Sequence, residues 1–296
     1  MNPQQRKYFV ILVHHGRPKV TDQSITALVS ASQRPAHLVV IDHGATSYQS
    51  AQTMNLTVIR PARNSGYAGG INVGLGVLYS HGIERHDIVI CMNNDVQVYP
   101  DTVANLASWW QENPAPAVVG STMVEPQGTI TSLSYVNILT GRTSLYHNSL
   151  KQAPGLPQKR SLTATFKLPY IHGAFFAAPY HVFLATKGLP EKYFMYWEDA
   201  AFSQLARRAG FPLYILKNVR TKHTNKKTPT ATQLYYLVRN GAIFMEQESH
   251  RTARAYWLAA NRLRLVYHQL IGSQPIIRRA LRDAIAGKNG QKASSE

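Results

Sequence analysis

Residues 88–100 read IVICMNNDVQVYP. Five apolar residues, Ile88 to Met92, run without a break into two amides and a carboxylate, Asn93, Asn94 and Asp95. Val96, Gln97 and Val98 then alternate until Pro100 ends the segment. A run that is apolar at every position suits a strand covered on both faces, as in a parallel sheet. The Asn-Asn-Asp ending is compatible with a surface turn and, more specifically, with a metal or nucleotide site. Residues elsewhere in the chain have to decide.

Similar runs surround it: YFVILV (8–13), HLVVI (37–41), LTVI (56–59), DIVICM (87–92) and AVVG (117–120). Helical patterns lie between them. In DTVANLASWWQEN (101–113), Val103, Leu106, Ala107 and Trp110 form the i, i+3, i+4, i+7 stripe, with Asp101 as the expected N-cap and Pro114 just past the end. Such alternation predicts an α/β fold with an open, mostly parallel sheet flanked by helices and ligands at the C-terminal ends of the strands. From 125 to 169 the pattern weakens into Gly, Pro, Ser, Thr and Lys, a loop excursion or small antiparallel insert suited to a lid. Order returns with YIHGAFFAAP (170–179), and the tail is helical and basic. No internal repeat is visible.

The chain of 296 residues is long enough for one large domain with an appendage, and 44% hydrophobic content supports a substantial core. The single cysteine, Cys91, excludes an internal disulfide framework and a cysteine-rich zinc site. Lys and Arg number 32 against 15 Asp and Glu, a formal net charge of +17, which implies an anionic partner: nucleic acid, phospholipid or a phosphorylated substrate. The apolar run before His14 is too short for a signal-peptide core, and no stretch approaches the ~18 apolar residues of a spanning helix. The chain therefore reads as cytoplasmic, with the inner face of the cell membrane as a place it could visit. Residues 249–288 mix seven Arg and one Lys with Trp, Tyr, Leu and Ile. Arg262 and Arg264 forbid a span. Two readings fit: an interfacial helix on anionic lipid, or a helix packed on the domain with a solvated basic face.

Two nucleotide motifs are missing. The first strand runs into HHGRPKVT, not Gly-x-Gly-x-x-Gly, and no Gly-x-x-x-x-Gly-Lys-Ser/Thr occurs. Other strand ends carry more. Asp42 and His43 follow the second apolar run. RNSGYAGGINVG (63–74) packs four glycines around Asn64 and Asn72 at a helix start, where Gly69 and Gly70 would admit a ligand and free N–H groups favour phosphate. Asp42, Asn64 and Asp95 thus fall at three strand ends, which share one edge in a parallel sheet. Further on, EKYFMYWEDAAFSQLARRAGFP (191–212) predicts a helix whose N-terminus carries Glu198 and Asp199, with Arg207 and Arg208 in its last turn. Acids at a helix N-terminus complement the dipole. The aromatic approach YFMYW would also place them beside apolar walls, which raises a carboxylate's pKa toward that of a useful base. LYILKNVRTKH then predicts a strand ending near His223.

The order of VVIDHGATS (39–47), RNSGYAGGINVGL (63–75), MNNDVQV (92–98), HGAFFAAPYHVF (172–183) and GLPEKYFMYWEDAAFSQLARRAGF (188–211) resembles the inverting family 2 glycosyltransferases of GT-A fold, particularly their rhamnosyltransferase-like branch. The resemblance covers roughly residues 7–225. It implies a catalytic domain over 1–228, with a nucleotide-sugar-binding half to residue 120 and an acceptor-binding half after it, then a basic helical extension over 229–296. By resemblance, Asp95 of the NND triplet coordinates Mg2+ or Mn2+ bridging a donor diphosphate, and His223 completes the metal site. Asn93 stands at the ribose contact, Asp42 reads the base, and Asn64 with its glycines closes on base and ribose. His14, His15, Asp42, Asn64, Gly69, Asn93 and Asn94 then form the nucleotide-sugar pocket. Asp199 matches the general base, with Glu198 in support. The chain departs from the family pattern at His14-His15-Gly16 (usually an Asn), at Pro190 and Ala201 (usually Asp), and at Asn93 (usually a carboxylate).

The implied function is metal-dependent transfer of a sugar, with rhamnose from dTDP-rhamnose a candidate, from a dTDP- or UDP-sugar to a surface polysaccharide or lipid-linked oligosaccharide. A nucleotidyltransferase or a catalytically reduced nucleotide-sugar-binding relative are the alternatives. A nucleic-acid-binding protein is the remote one: the basic residues are scattered, and no helix-turn-helix, zinc-finger or RNP pattern occurs.

Overall fold

The structure, a computed structural model, describes residues 6–50, 55–124, 130–147, 167–223, 229–248, 251–272 and 274–291. Its centre is a sheet in the order β3-β2-β1-β4-β10-β6-β11-β5. These strands are β1 (Tyr8–His14), β2 (His37–Asp42), β3 (Leu56–Ile59), β4 (Ile88–Asn93), β5 (Val96–Val98), β6 (Val118–Val124), β10 (Phe175–Pro179) and β11 (Leu213–His223). The apolar runs predicted from sequence form β1, β2, β3, β4 and β6. Pairing is parallel among β3, β2, β1 and β4 and between β6 and β11. It is antiparallel where β10 joins β4 to β6 and where β5 lies against β11.

The apolar runs are continuous because both faces of the sheet are covered. In β1, Tyr8, Val10 and Leu12 enter a core with α1 (Pro18–Val29) and α3 (Thr102–Glu112), while Phe9, Ile11 and Val13 face α2 (Gly66–Ser80), α4 (Tyr180–Thr186) and α5 (Glu198–Arg208). In β4, Ile88, Ile90 and Met92 join the first core, and Val89 and Cys91 the second. The Cys91 thiol is fully buried, and burial pushes it well up from its ordinary value. Asp101 precedes α3 as expected, but its side chain does not cap the helix. It accepts from Asn105 Nδ2 (3.1 Å) and pairs with Arg220 (3.5 Å), while Thr102 Oγ1 accepts from the Tyr99 amide and closes the turn instead.

The weakly patterned stretch contains an antiparallel insert. β7 (Ile130–Asn137) pairs with β6, β8 (Thr143–His147) and β9 (Lys167–Tyr170). The rest of the expected lid, 125–129 and 148–166, lies outside the described residues. Three helices follow the last strand: α6 (Ala231–Glu248), α7 (Arg251–Leu270) and α8 (Pro275–Ile285). They share a core with the insert and the start of α5. Ala242, Ile243, Phe244, Met245, Trp257, Leu281 and Ala284 pack with Val136, Tyr170, Tyr193, Ala200 and Ala201. Tyr235 of α6 donates to Asp283 of α8 at 2.7 Å, a buried bond fixing one helix on the other. No helix is long and apolar enough to cross a membrane among the described residues.

Candidate active site

The strand register aligns the expected residues along one sheet edge. His14 pairs with Asp42 across β1 and β2, and Val13 with Asn93 across β1 and β4. β4 stops at Asn93, a tight turn takes Asn94 and Asp95, and the chain returns as β5. Because β5 pairs with β11 so that Val96 faces His223, Asp95 comes within reach of that histidine: Oδ1 lies 3.3 Å from Nε2. The NND ending is therefore a turn, and its carboxylate meets a side chain 128 positions later.

Beside this edge lies a cleft of about 550 Å³. His15, Asn64, Asn93, Asn94, Asp95, Glu198 and Asp199 all line it. His14, Asp42 and Gly69 do not lie on its wall. His14 is buried, bonds Thr21 Oγ1 through Nδ1 at 2.6 Å, and has its pKa lowered by burial. Asp42 is buried behind it. Its carboxylate accepts from the amides of Gly44 (2.8 Å) and Tyr48 (2.9 Å) and from Arg60 Nη1 (2.7 Å). Burial alone would raise the Asp42 pKa, but those two amides and the guanidinium outweigh it and hold it below the ordinary value. Gly69 serves packing: a Cβ there would stand 2.5 Å from Ser65 Cβ. The first amides of α2 are also engaged, Gly66 N donating to Asn64 Oδ1 and Tyr67 N to the Phe194 carbonyl, both at 2.9 Å. Asn94 ties the loop after β1 to α1, its Nδ2 donating to His15 O and Thr21 Oγ1 at 3.0 Å.

Glu198 and Asp199 open α5, as the sequence predicts, yet their surroundings differ. Asp199 Oδ2 accepts from Gly173 N at 2.8 Å and Oδ1 from Ala200 N at 2.7 Å, so backbone fixes the carboxylate at the cleft wall. Glu198 is only 6% exposed, and its Oε2 is buried without a hydrogen-bond partner among the described residues. Burial, then the neighbouring Asp199 charge, pushes its pKa up to about 8. The apolar wall inferred from YFMYW thus acts on Glu198. That aromatic run is itself unusual: Phe194, Tyr196 and Trp197 have φ of 64°, 64° and 74°, a region costly for side chains of this size. Asn240 of α6, fully buried, holds it by donating Nδ2 to the carbonyls of Tyr193, Met195 and Tyr196, and Trp197 Nε1 donates to Leu237 O at 3.0 Å. Ala201, where the family pattern has an acid, points into the core, where an unpaired carboxylate would be costly.

Several wall residues carry no site assignment from the sequence. His43 lines the cleft with a buried Nε2 that has no hydrogen-bond partner among the described residues. His172 sits between β9 and β10, its Nδ1 accepting from Ala174 N at 3.1 Å, and burial lowers its pKa. Tyr67 and Tyr170 add phenolic wall beside Met195, Tyr196 and Trp197 of the aromatic approach read from the sequence. For His43, Tyr67, Tyr170 and His172 the signal in the sequence is their place inside VVIDHGATS, RNSGYAGGINVGL and YIHGAFFAAP.

The sequence profile of "Glycosyl transferase family 2" matches residues 9–180, more than half of the chain. The chain belongs to glycosyl transferase family 2. This glycosyltransferase has no match among curated proteins. Solved structures share its fold. S. aureus TarS 1–349 in complex with UDP-GlcNAc aligns with TM-score 0.53 and 14% identity over 95% of this chain and 92% of that one. GalNAc-T7 with UDP, GalNAc and Mn2+ aligns at 0.62 and 13%, over 96% and 56%. A longer TarS chain aligns at 0.54 and 18%, over 86% of this glycosyltransferase and 43% of TarS, so this chain spans less than half of it. The open sheet flanked by helices is of GT-A type.

Proposed function

We propose that this chain is an inverting, metal-dependent glycosyltransferase that moves a sugar from a pyrimidine nucleotide diphosphate to a glycan or lipid-linked oligosaccharide acceptor at the inner face of the cell membrane. Rhamnose from dTDP-rhamnose is the first sugar to test, on the likeness of motifs described above. UDP-sugars are the next, because solved structures of similar fold are bound to UDP-GlcNAc or UDP. The observation that carries the reading is that the Asp95–His223 pair meets at the sheet edge while Asp95 shares one cleft with the Glu198–Asp199 pair.

The family implies Mg2+ or Mn2+. Among the described residues no group of three or more His, Cys, Asp or Glu side chains could hold an ion by itself. Asp95 and His223 nevertheless offer an oxygen and a nitrogen donor at one point, which fits an ion that completes its coordination with phosphate oxygens and water. When bound, the ion supplies positive charge against the leaving diphosphate. The protein's own groups do the remainder. Asn93, Asn64 and His15 present polar atoms for the nucleotide. The aromatic wall from Phe194 to Trp197 excludes water from the acceptor side. Asp199 takes the proton of the acceptor hydroxyl as that oxygen attacks the anomeric carbon and the nucleoside diphosphate departs. A single displacement inverts the anomeric centre. Glu198, which keeps its proton near neutral pH, leaves the accepting role to Asp199.

Thermal shifts across UDP, dTDP and GDP sugars, with and without Mn2+, test the donor. Product analysis with the stabilising donor tests the transfer. Stabilisation by a pyrimidine nucleotide sugar, strengthened by Mn2+, and a product of inverted configuration are expected. No stabilisation by any nucleotide sugar, or a retained configuration, overturns the proposal.

A further inference from the structure

Among the described residues nine large hydrophobic side chains stand exposed, and seven of them lie on α7, the turn after it and the adjoining β7–β8 turn: Tyr256, Leu263, Val266, Tyr267, Leu270, Ile271 and Leu139. Their concentration is set by helix geometry. With successive residues ~100° apart, Leu263, Val266, Tyr267 and Leu270 follow the i, i+3, i+4, i+7 spacing and Tyr256 lies two turns before Leu263 on the same side. Leu263 is 70% and Leu270 81% exposed, so nothing among the described residues covers the stripe. The opposite side of α7 is fixed inward. Trp257 is buried and donates Nε1 to Ile138 O at 2.8 Å, and buried Asn261 donates Nδ2 to Glu246 Oε1 at 2.8 Å. The helix therefore cannot roll to hide its apolar side. Arg262 and Arg264 are exposed, and the same ~100° step places one on each flank of the stripe.

We propose that this face of α7 docks the protein on an anionic lipid surface, the helix lying in the plane of the interface. Apolar side chains would enter the acyl boundary while the flanking guanidinium groups meet lipid phosphates. Charge decides between a lipid surface and a second copy of the chain. Residues 251–272 carry four arginines and no acidic residue. A second copy seated on the same face would set Arg262 and Arg264 against their own counterparts, with no carboxylate on the helix to offset them. A formal charge of +17 adds repulsion between copies and attraction to anionic lipid. The patch also adjoins the site. Tyr256 Oη donates to Leu139 O at 3.4 Å in the β7–β8 turn, and Thr143, at the start of β8, lines the cleft. Docking would bring the acceptor side of the cleft toward a lipid-borne substrate. That consequence rests on the proposed function, whereas the docking does not.

Flotation of the full chain with vesicles of equal parts phosphatidylcholine and phosphatidylglycerol, against phosphatidylcholine alone, tests it. The protein should float with the anionic vesicles and remain largely free of the neutral ones. L263S/L270S should weaken partition by about tenfold or more, and R262Q/R264Q should reduce the preference for anionic lipid. All four positions are exposed, so unchanged melting temperatures will show that the fold is intact. Equal flotation of the variants, no enrichment on anionic vesicles, or a stable dimer in sedimentation that L263S/L270S dissociates would overturn the proposal. Donor binding, measured in parallel, should be the same in all variants. Its absence from the unaltered chain, with flotation intact, counts against the catalytic reading alone.

Discussion

Asp199 and Glu198 are adjacent in sequence and opposite in circumstance. The carboxylate of Asp199 is held by two backbone amides at the cleft wall, while Glu198 is buried with one oxygen unpartnered among the described residues. Asp199→Asn keeps the shape and loses the proton acceptor, so turnover should fall ~10²–10⁴-fold, with donor affinity in a binding assay nearly unchanged. Glu198→Gln should be the milder change in turnover but should alter stability in a pH-dependent way. The folded-state pKa of Glu198 is raised from 4.5 to about 8. Below pH 4.5 both folded and unfolded chains hold the proton. Between those values the unfolded chain releases it and the folded chain retains it, so rising pH removes stability until about pH 8. Urea unfolding of Glu198→Gln against the parent should thus show a relative gain that grows across this window. A constant difference would mean that Glu198 is not a protonated buried acid. Asp95→Asn removes the carboxylate that meets His223 and should abolish most transfer activity. If the parent enzyme keeps full activity in EDTA, the assignment of Asp95 to a metal is wrong.

At the scale of elements, the aromatic turn before α5 is the strained part, and α6 is what holds it. Three residues at positive φ cost roughly 1–3 kcal/mol each, so their conformation needs outside support. Asn240 provides it through three carbonyls, and Arg239 Nη2 adds a bond to Tyr193 O at 3.3 Å. Asn240→Ala leaves those carbonyls short of donors in a buried place, at a cost of about 1–3 kcal/mol in urea unfolding. It should also raise the acceptor KM more than the donor KM, because in the proposed function the turn walls the acceptor side. Gly66, at the start of α2, packs directly against the same turn. At φ of 75°, a Cβ would collide with the Phe194 carbonyl. Gly66→Ala should therefore lower the melting temperature and weaken nucleotide binding together, which differential scanning fluorimetry with and without ligand would read.

At the scale of the whole molecule, the C-terminal helices are part of the site's support. Leu237 of α6 lines the cleft, and α6 buries the aromatic turn. A chain ending at residue 228 would expose Tyr193, Trp197 and Ala201 to water. It should lack a cooperative thermal transition by circular dichroism, whereas the full chain should show one. A truncated protein that melts cooperatively and binds nucleotide would show that the first 228 residues stand alone.

The sheet, and the placing of Asp95, Glu198, Asp199 and His223 at the ends of strands and helices, were legible in the sequence because both depend on local pattern, whereas the roles proposed for these residues come from family resemblance. Apolar runs such as YFVILV and IVICM mark strands covered on both sides, and Asp95, Glu198, Asp199 and His223 follow from where strands and helices must stop. The sequence determined these residues and their order. It did not determine that β10 enters the sheet antiparallel between β4 and β6, that Asp42 faces Arg60 and two amides, or that Gly69 serves packing. Nor did it tell that the apolar wall would bury Glu198, or that Asn240 would hold the turn before it. Each of these depends on which side chains meet across long separations, and period and composition do not encode that. Burial and partner geometry set a carboxylate's pKa and a strained turn's survival, and only the tertiary structure decides both.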